Sequence, residues 1–376
     1  MKITNIDTYP VWGGTRNFLF VVVDTDAGIS GVGEAGITGR ELAVIGAIEH
    51  FKPLLIGQNP ARIEHLWQLL FRGGFFPAQR ILTAAISAID IALWDIKGKV
   101  LGVPIYELLG GRVRDKVVCY PHNIGHGNDL VESCLQTKEE GWKFVRWGLP
   151  EEGGILEPRR AVLTAIEQFR AVREAVGGEI EIVFDVHTRL DLPDAVWLCQ
   201  QVEPFHPFFI EDPLRCENPD SFKTLRPRTR VPLAAGEQFS SKWEFRQLIE
   251  EEWIDYARID LCIVGGFTEA KKIAGWCETH YIKLAVHNPL GPVSSAACLH
   301  LNLACPNVGV QEQPRRTNTI LTDVVPVQPE WEDGYLLPPM RPGLGIEFDR
   351  AAAQQYPFQL SELPHLRRLD GSVTNW

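Results

Sequence analysis

Six short apolar runs each end on an ionisable residue: EIVFD (181–185), PFFIE (207–211), PLAAGE (232–237), YARID (256–260), IKLAVH (282–287) and VGVQE (308–312). The closing residues are Asp185, Glu211, Glu237, Asp260, His287 and Glu312, and they follow one another at intervals of 23 to 27 residues. Such an interval holds one strand and one crossover helix, so repeated βα units are predicted. Two earlier runs, KVVCY (116–120) and KFVRW (143–147), bring the strands to eight. Helical stretches such as DLVESCLQTKEEG and Arg160–Val176 separate them. Eight βα units predict a closed parallel barrel, in which the C-terminal strand ends converge on one mouth. All six closing residues are therefore expected around a single cavity.

Outside this core the pattern changes. ITNIDTYPVW and NFLFVVVDT, followed by the Gly-rich DAGISGVGEA, read as a small antiparallel sheet. From about Gly39 to Gly110 the periodicity is helical. Leu82, Ile86, Ile89, Leu93, Ile96 and Val100 are spaced along one helix face. The expected fold class is thus α/β, a (β/α)8-type barrel with an α+β N-terminal capping domain. The boundaries are drawn at 1–115 for the cap and 116–320 for the barrel. A Pro- and Gly-rich segment, 321–376, is expected to return to the cap.

The chain of 376 residues is 45% hydrophobic and 23% charged, an average soluble composition. No apolar run is long enough to span a membrane, and MKITNID lacks the features of a secretion signal, so a cytoplasmic location is expected. Eight cysteines lie scattered without CxxC spacing and read as buried, reduced thiols. A net charge of −11 argues against nucleic acid as a partner. An anionic substrate would need local positive charge in this acidic protein, and a bound metal would supply it.

Asp185, Glu211 and Glu237 stand on adjacent strand ends. Any one of them alone reads as half of a salt bridge, but three in phase repel unless a cation lies between them. Oxygen-only ligation from rigid positions suits Mg²⁺. Asp260 and His287 close neighbouring strands, which brings a carboxylate within reach of an imidazole and points to a general base. His187, two residues beyond Asp185, faces the same mouth from the opposite side of the barrel. It can protonate a leaving group or play a supporting role. Glu312 can bond a substrate carboxylate if protonated, orient His287, or bridge to a basic residue. Arg146 can bind the substrate anion or pair with a neighbouring acid. His122 and Asn123 end the first strand and are expected to line the mouth. Trp12 and Arg16 lie in a Gly-flanked loop that reads as a lid or as an ordinary turn.

AAISAIDIALWDIKGKVLGVPIYELLGG (84–111), FDVHTRL, FIEDPL, AAGEQF, ARIDL, AVHNPLGPVSSAACLH and VQEQP together resemble the enolase superfamily, in its mandelate racemase/muconate lactonizing enzyme branch. The resemblance implies a modified (β/α)7β TIM barrel. It also implies magnesium held by Asp185, Glu211 and Glu237, a His287–Asp260 base, and His187 as the general acid of acid-sugar dehydratases. The expected activity is removal of the α-proton and loss of water from a sugar acid such as galactonate, mannonate or gluconate, through an enediolate, to a 2-keto-3-deoxy acid. It further implies a homo-oligomer. Where many relatives carry Lys-x-Lys on the second strand, this chain has Phe144-Val145-Arg146-Trp147. That departure counts against a racemase using the lysine pair. Racemisation or epimerisation with both histidines, and a non-catalytic regulator on the same scaffold, are the competing expectations.

Overall fold

The structure, a computed structural model, describes residues 1–123 and 128–375. The cap opens with a three-stranded antiparallel meander, β1 (Ile3–Trp12), β2 (Asn17–Thr25) and β3 (Ser30–Ala35), followed by helices α1 (Glu41–Leu55), α2 (Ile63–Arg72), α3 (Ile81–Leu101) and the single turn α4 (Ile105–Leu108). α3 lies directly on β3. A Cβ at Gly33 would sit 1.9 Å from the carbonyl oxygen of Ala88, so only glycine lets the helix approach this closely. Ile86, Ile89, Leu93 and Ile96 are buried as the periodicity predicts, whereas Leu82 and Val100 at the helix ends are exposed. The middle of α3 is buried nearly all round, because its far side packs on the barrel.

The barrel strands are β4 (Val117–Tyr120), β5 (Phe144–Gly148), β6 (Glu181–Asp185), β7 (Phe209–Glu211), β8 (Leu233–Ala235), β9 (Tyr256–Ala257), β10 (Lys283–Val286) and β11 (Val308–Glu312). Helices α5 (Asn128–Glu139), α6 (Pro158–Val176), α7 (Leu192–Val202), α8 (Phe222–Leu225), α9 (Lys242–Glu250), α10 (Gly266–Thr279) and α11 (Pro292–Leu303) follow the first seven strands in turn. β11 is followed instead by irregular chain and a hairpin, which is the (β/α)7β arrangement. Every strand falls where an apolar run was read, several of them trimmed to their central residues. One inward side chain per strand fills the floor: Tyr120, Phe144, Val183, Phe209, Ala234, Tyr256, Ala285 and Val310 form one buried cluster. Burying each large one contributes about 1.5–3 kcal/mol, and the layer is the base on which the site stands.

The sheet runs in the order β4-β11-β10-β9-β8-β7-β6-β5, parallel throughout. β4 and β5 share no ladder among the described residues. Near the mouth Asn123 bridges this seam, donating its backbone N–H to Arg146 O and accepting the Arg146 N–H on Oδ1. At the opposite end the hairpin β12 (Trp331–Glu332) and β13 (Tyr335–Leu336) pairs antiparallel with β4. The segment beyond residue 320 therefore does two things. Its hairpin extends the barrel sheet, while later residues contact the cap: Leu344 N–H donates to Asp95, Arg350 pairs with Asp24, and Asn17 Nδ2 donates to Gln359 O.

All eight cysteines are free thiols, and seven of them are buried. Among the described residues, no helix is long and apolar enough to cross a membrane.

Candidate active site

A cavity of about 790 Å³ opens at the C-terminal ends of the strands, roofed by the cap through Arg16, Ile37 and Arg80 and by the C-terminal tail through Leu363 and Asn375. Asp185, His187, Glu237, Asp260, His287 and Glu312 all line it. Strand alternation explains the convergence. The floor residues Val183, Phe209, Ala285 and Val310 stand two positions before Asp185, Glu211, His287 and Glu312, so the same face that plugs the barrel presents the site one layer higher. Glu237 comes after β8 by way of Gly236, whose φ is +120°. A Cβ there would lie 2.4 Å from the ring of Phe245.

Asp260 Oδ2 lies 2.7 Å from His287 Nδ1, and its Oδ1 accepts the Cys262 N–H at 2.7 Å. The imidazole is thereby fixed with Nε2 turned inward, 3.5 Å from Glu237 Oε2 and 3.9 Å from Glu312 Oε2. Burial disfavours the charged ring. The negative charge of Glu237 and Glu312 and the bond to Asp260 outweigh it, and the His287 pKa is raised to about 9.

Asp185 and Glu211 are side by side in the β6–β7 register. Carboxylate oxygens of Glu211, Asp212 and Glu237 lie within 4.8 Å of one another, all buried. Burial and like charge push Glu211 up to about 8 and Asp212 well above its ordinary value. Among the described residues, Asp212 Oδ2 is buried with no hydrogen-bond partner. A cluster of hard, mutually repelling oxygens with an orphaned acceptor fits a divalent cation such as Mg²⁺. Of the expected ligand set, Asp185 and Glu237 line the cavity, while Glu211 is fully buried and does not; Asp212, outside that set, is also buried and does not line it.

The remaining expected site residues divide. His187 sits in a left-handed turn, φ +56°, with its N–H donating to Asp185 Oδ1 at 2.7 Å. The next residue, Thr188, is also left-handed at φ +57° and is tied by its carbonyl to Asn375 Nδ2 at 2.7 Å. His122 Nε2 is 2.5 Å from Glu312 Oε1. Burial and the Arg146 charge lower its pKa to about 4 against the pull of Glu312, so the neutral ring carries its proton on Nε2 and donates it. Arg146 pairs with Asp185 at 2.5 Å and Glu211 at 3.5 Å, the neighbouring-acid arrangement. Arg16 lines the cavity and donates to Pro289 O at 3.2 Å. Asn123 is turned away to Ser133 and Thr137 and closes the seam rather than lining the mouth. Trp12 does not line the cavity; its backbone N–H donates to Tyr356 O at 3.1 Å.

Glu312 holds an arginine that the sequence reading passed over. Arg258 is fully buried, and its Nη2 lies 2.7 Å from Glu211 Oε1, 2.8 Å from Glu312 Oε2 and 3.2 Å from Glu237 Oε2. Although burial favours the neutral acid, Arg258, His287 and the bond from His122 hold Glu312 well below the usual carboxylate range. Glu312 therefore stands as an anion bridged to basic residues. The signal for Arg258 was present in YARID: Tyr256, Arg258 and Asp260 alternate onto the inward face.

Residues 12–110 match the family described as mandelate racemase/muconate lactonizing enzyme, N-terminal domain, and residues 129–352 match the enolase C-terminal domain-like family. Over 388 residues the chain is 39% identical to a D-galactonate dehydratase of Ralstonia nicotianae, with 100% of both proteins covered. It is 38% identical to a D-mannonate dehydratase of Caulobacter sp. (strain K31), with 96% of each covered. The crystal structure of an enolase from Pantoea ananatis with bound D-gluconate and Mg is similar at a TM-score of 0.94 and 32% identity, covering 100% of this chain and 99% of that one. With both domains matched and relatives aligned over their full length, this chain belongs to the enolase superfamily, in its mandelate racemase/muconate lactonizing enzyme branch.

Proposed function

We propose that the protein is a Mg²⁺-dependent hydro-lyase that dehydrates a sugar acid, an aldonate such as galactonate, mannonate or gluconate, to a 2-keto-3-deoxy acid. The observation that carries the reading is one cavity lined by a carboxylate-buttressed His287, a second histidine at His187, and the carboxylates of Asp185 and Glu237. The named dehydratase relatives and the gluconate- and Mg-bound neighbour support the same activity.

In this reading Asp185, Glu211 and Glu237 hold the ion. Asp185 is preferred over Asp212 as the third ligand because it opens onto the cavity and Asp212 does not. Bound Mg²⁺ supplies positive charge for the substrate carboxylate and offsets the carboxylate charge that keeps His287 protonated. His287 Nε2 takes the proton from C2, with Asp260 holding Nδ1 and stabilising the imidazolium. His187 gives a proton to the C3 hydroxyl, which leaves as water. The C2–C3 enol that remains takes a proton at C3, gives up the proton of its C2 hydroxyl and becomes the ketone. Glu312, kept anionic, fixes His122 and the Asn288 N–H beside the dyad. Arg16, Arg146 and His122, which line the cavity, are assigned to substrate binding in this reading. Residues 1–115 serve as the cap, 116–320 as the catalytic barrel and 321–376 as the returning segment. A cytoplasmic homo-oligomer completes the reading, and light scattering of the purified protein tests the assembly.

Purified protein with Mg²⁺ is to be screened on mono- and diacid sugars for semicarbazide-reactive 2-keto product. A hit abolished by Glu211→Gln supports dehydration and names the substrate; no product from any acid in the panel counts against it. The presence of two histidines in one cavity also favours epimerisation at C2. Solvent-deuterium incorporation without a keto product would select that second reading.

A further inference from the structure

Beneath the cavity, Arg258 is the point where three of the carboxylates meet. It follows β9 and stands one layer above the floor residue Tyr256, with no exposed surface. Its Nη1 donates to Tyr120 Oη and to Ala285 O, so the guanidinium is pinned from below by the barrel floor. Its Nη2 is turned upward and shared by Glu211, Glu237 and Glu312, one oxygen of each. These acids come from β7, from the turn after β8 and from β11, so this one side chain ties together three points on the barrel's circumference.

The surrounding charge sets the size of the problem that Arg258 solves. Asp185, Glu211, Asp212, Glu237, Asp260 and Glu312 are all nearly or fully buried at this end of the barrel. Removing carboxylates from water is costly unless each is paired, and a pair broken inside a protein costs more than the pair contributes. Arg146 meets the Asp185 side of the cluster. Among the described residues no ion pair joins Arg146 to Glu237 or Glu312; both meet Arg258 and the edge of His287, and Glu312 also accepts from His122 and the Asn288 N–H.

We propose that Arg258 is a positioning residue that acts as a permanent internal counter-charge: it holds Glu211, Glu237 and Glu312 in place before any metal arrives, so that the ion enters a preformed site and binds less tightly than the acid count alone would dictate. The proposal rests on the magnesium reading above. It treats Arg258 and the ion as sharing one task, so that losing the first makes the protein lean on the second.

The test compares wild type with Arg258→Met, the milder Arg258→Gln and the charge-retaining Arg258→Lys. It uses Mg²⁺ titration by calorimetry and the Mg²⁺-induced rise in melting temperature, with no substrate present. The neutral variants are expected to melt lower than wild type without Mg²⁺, to show a larger Mg²⁺-induced rise, and to bind Mg²⁺ tighter by about tenfold or more, the scale of removing one buried positive charge near a dication. Arg258→Lys is expected to stay close to wild type in both. A merely structural arginine would lower the melting temperature without enlarging the Mg²⁺ response. Neutral variants with an unchanged or smaller Mg²⁺ response overturn the proposal, as does their failure to fold even in saturating Mg²⁺, because the ion would then not replace the charge. A wild-type protein indifferent to Mg²⁺ overturns the metal reading, and the proposal with it.

Discussion

The carboxylate of Glu34 in the cap accepts the backbone N–H of Ser294 in the barrel at 2.8 Å through Oε2, while its Oε1 accepts the Gly291 N–H at 2.7 Å. Glu34 lies on β3, and the two donors lie at the start of α11, four and seven residues after His287. A fully buried acid thus fastens the cap to the loop that carries the expected base. The free N–H groups at the start of α11 are the donors that such an acceptor satisfies.

Burial pushes Glu34 up to about 7, against the two backbone donors that favour its charged form. A folded pKa above the unfolded value means that the folded state binds the extra proton. The associated stability is full below about 4.5 and is lost as pH rises through about 7. The effect is on the order of 3 kcal/mol. Against Glu34→Gln, which cannot titrate, the wild type is therefore expected to lose relative melting temperature between about pH 5 and pH 8. Melting curves across that range decide it, and a wild-type-minus-variant difference that does not change with pH refutes the assignment.

His187→Asn and His287→Asn should separate the two proton transfers. His287→Asn is expected to lose both dehydration and exchange of the C2 proton with D₂O. His187→Asn is expected to keep exchange while dehydration falls by about 10²–10⁴-fold. NMR of the substrate in D₂O reads both. A His187→Asn variant with full dehydration activity removes His187 from the mechanism.

Asp185→Asn and Asp212→Asn test which acid completes the metal set. Asp185→Asn is expected to weaken Mg²⁺ binding by at least about tenfold, since ligand charge tunes affinity. Asp212→Asn should have the smaller effect, as Asp212 does not line the cavity. Calorimetric titration of the two variants gives the order, and the reverse order transfers the ligand role to Asp212.

Gly33→Ala probes the cap alone. The added methyl would meet the Ala88 carbonyl at 1.9 Å, with backbone on both sides and no flexible side chain to give way. A loss of about 1–3 kcal/mol is expected from forcing α3 off β3. Urea unfolding measures it, and an unchanged midpoint would mean that the helix shifts at no cost.

Much of this molecule is written in the period of its sequence. Period-two alternation puts Val183 and Asp185, Phe209 and Glu211, and Ala285 and His287 on one face of each strand, and the spacing of the apolar runs makes those strands parallel neighbours. The barrel, the cap and the His287–Asp260 contact follow from local rules of that kind. Contacts that gather side chains from several strands or from both domains at once do not. Arg258 reads as one more charged residue until the barrel closes and brings Glu211, Glu237 and Glu312, 21 to 54 residues away, around it. Asn123 reads as a mouth residue until the β4–β5 seam needs a bridge. Glu34 is unremarkable in GVGEA until α11, 257 residues later, presents its unpaired N–H groups. The sequence by itself determined which side chains face inward, because side-chain direction is set by the backbone of a single strand. Beyond the Asp260–His287 pair, only the tertiary structure decided which of those side chains share charge, because a buried carboxylate's partner is settled by distance and burial.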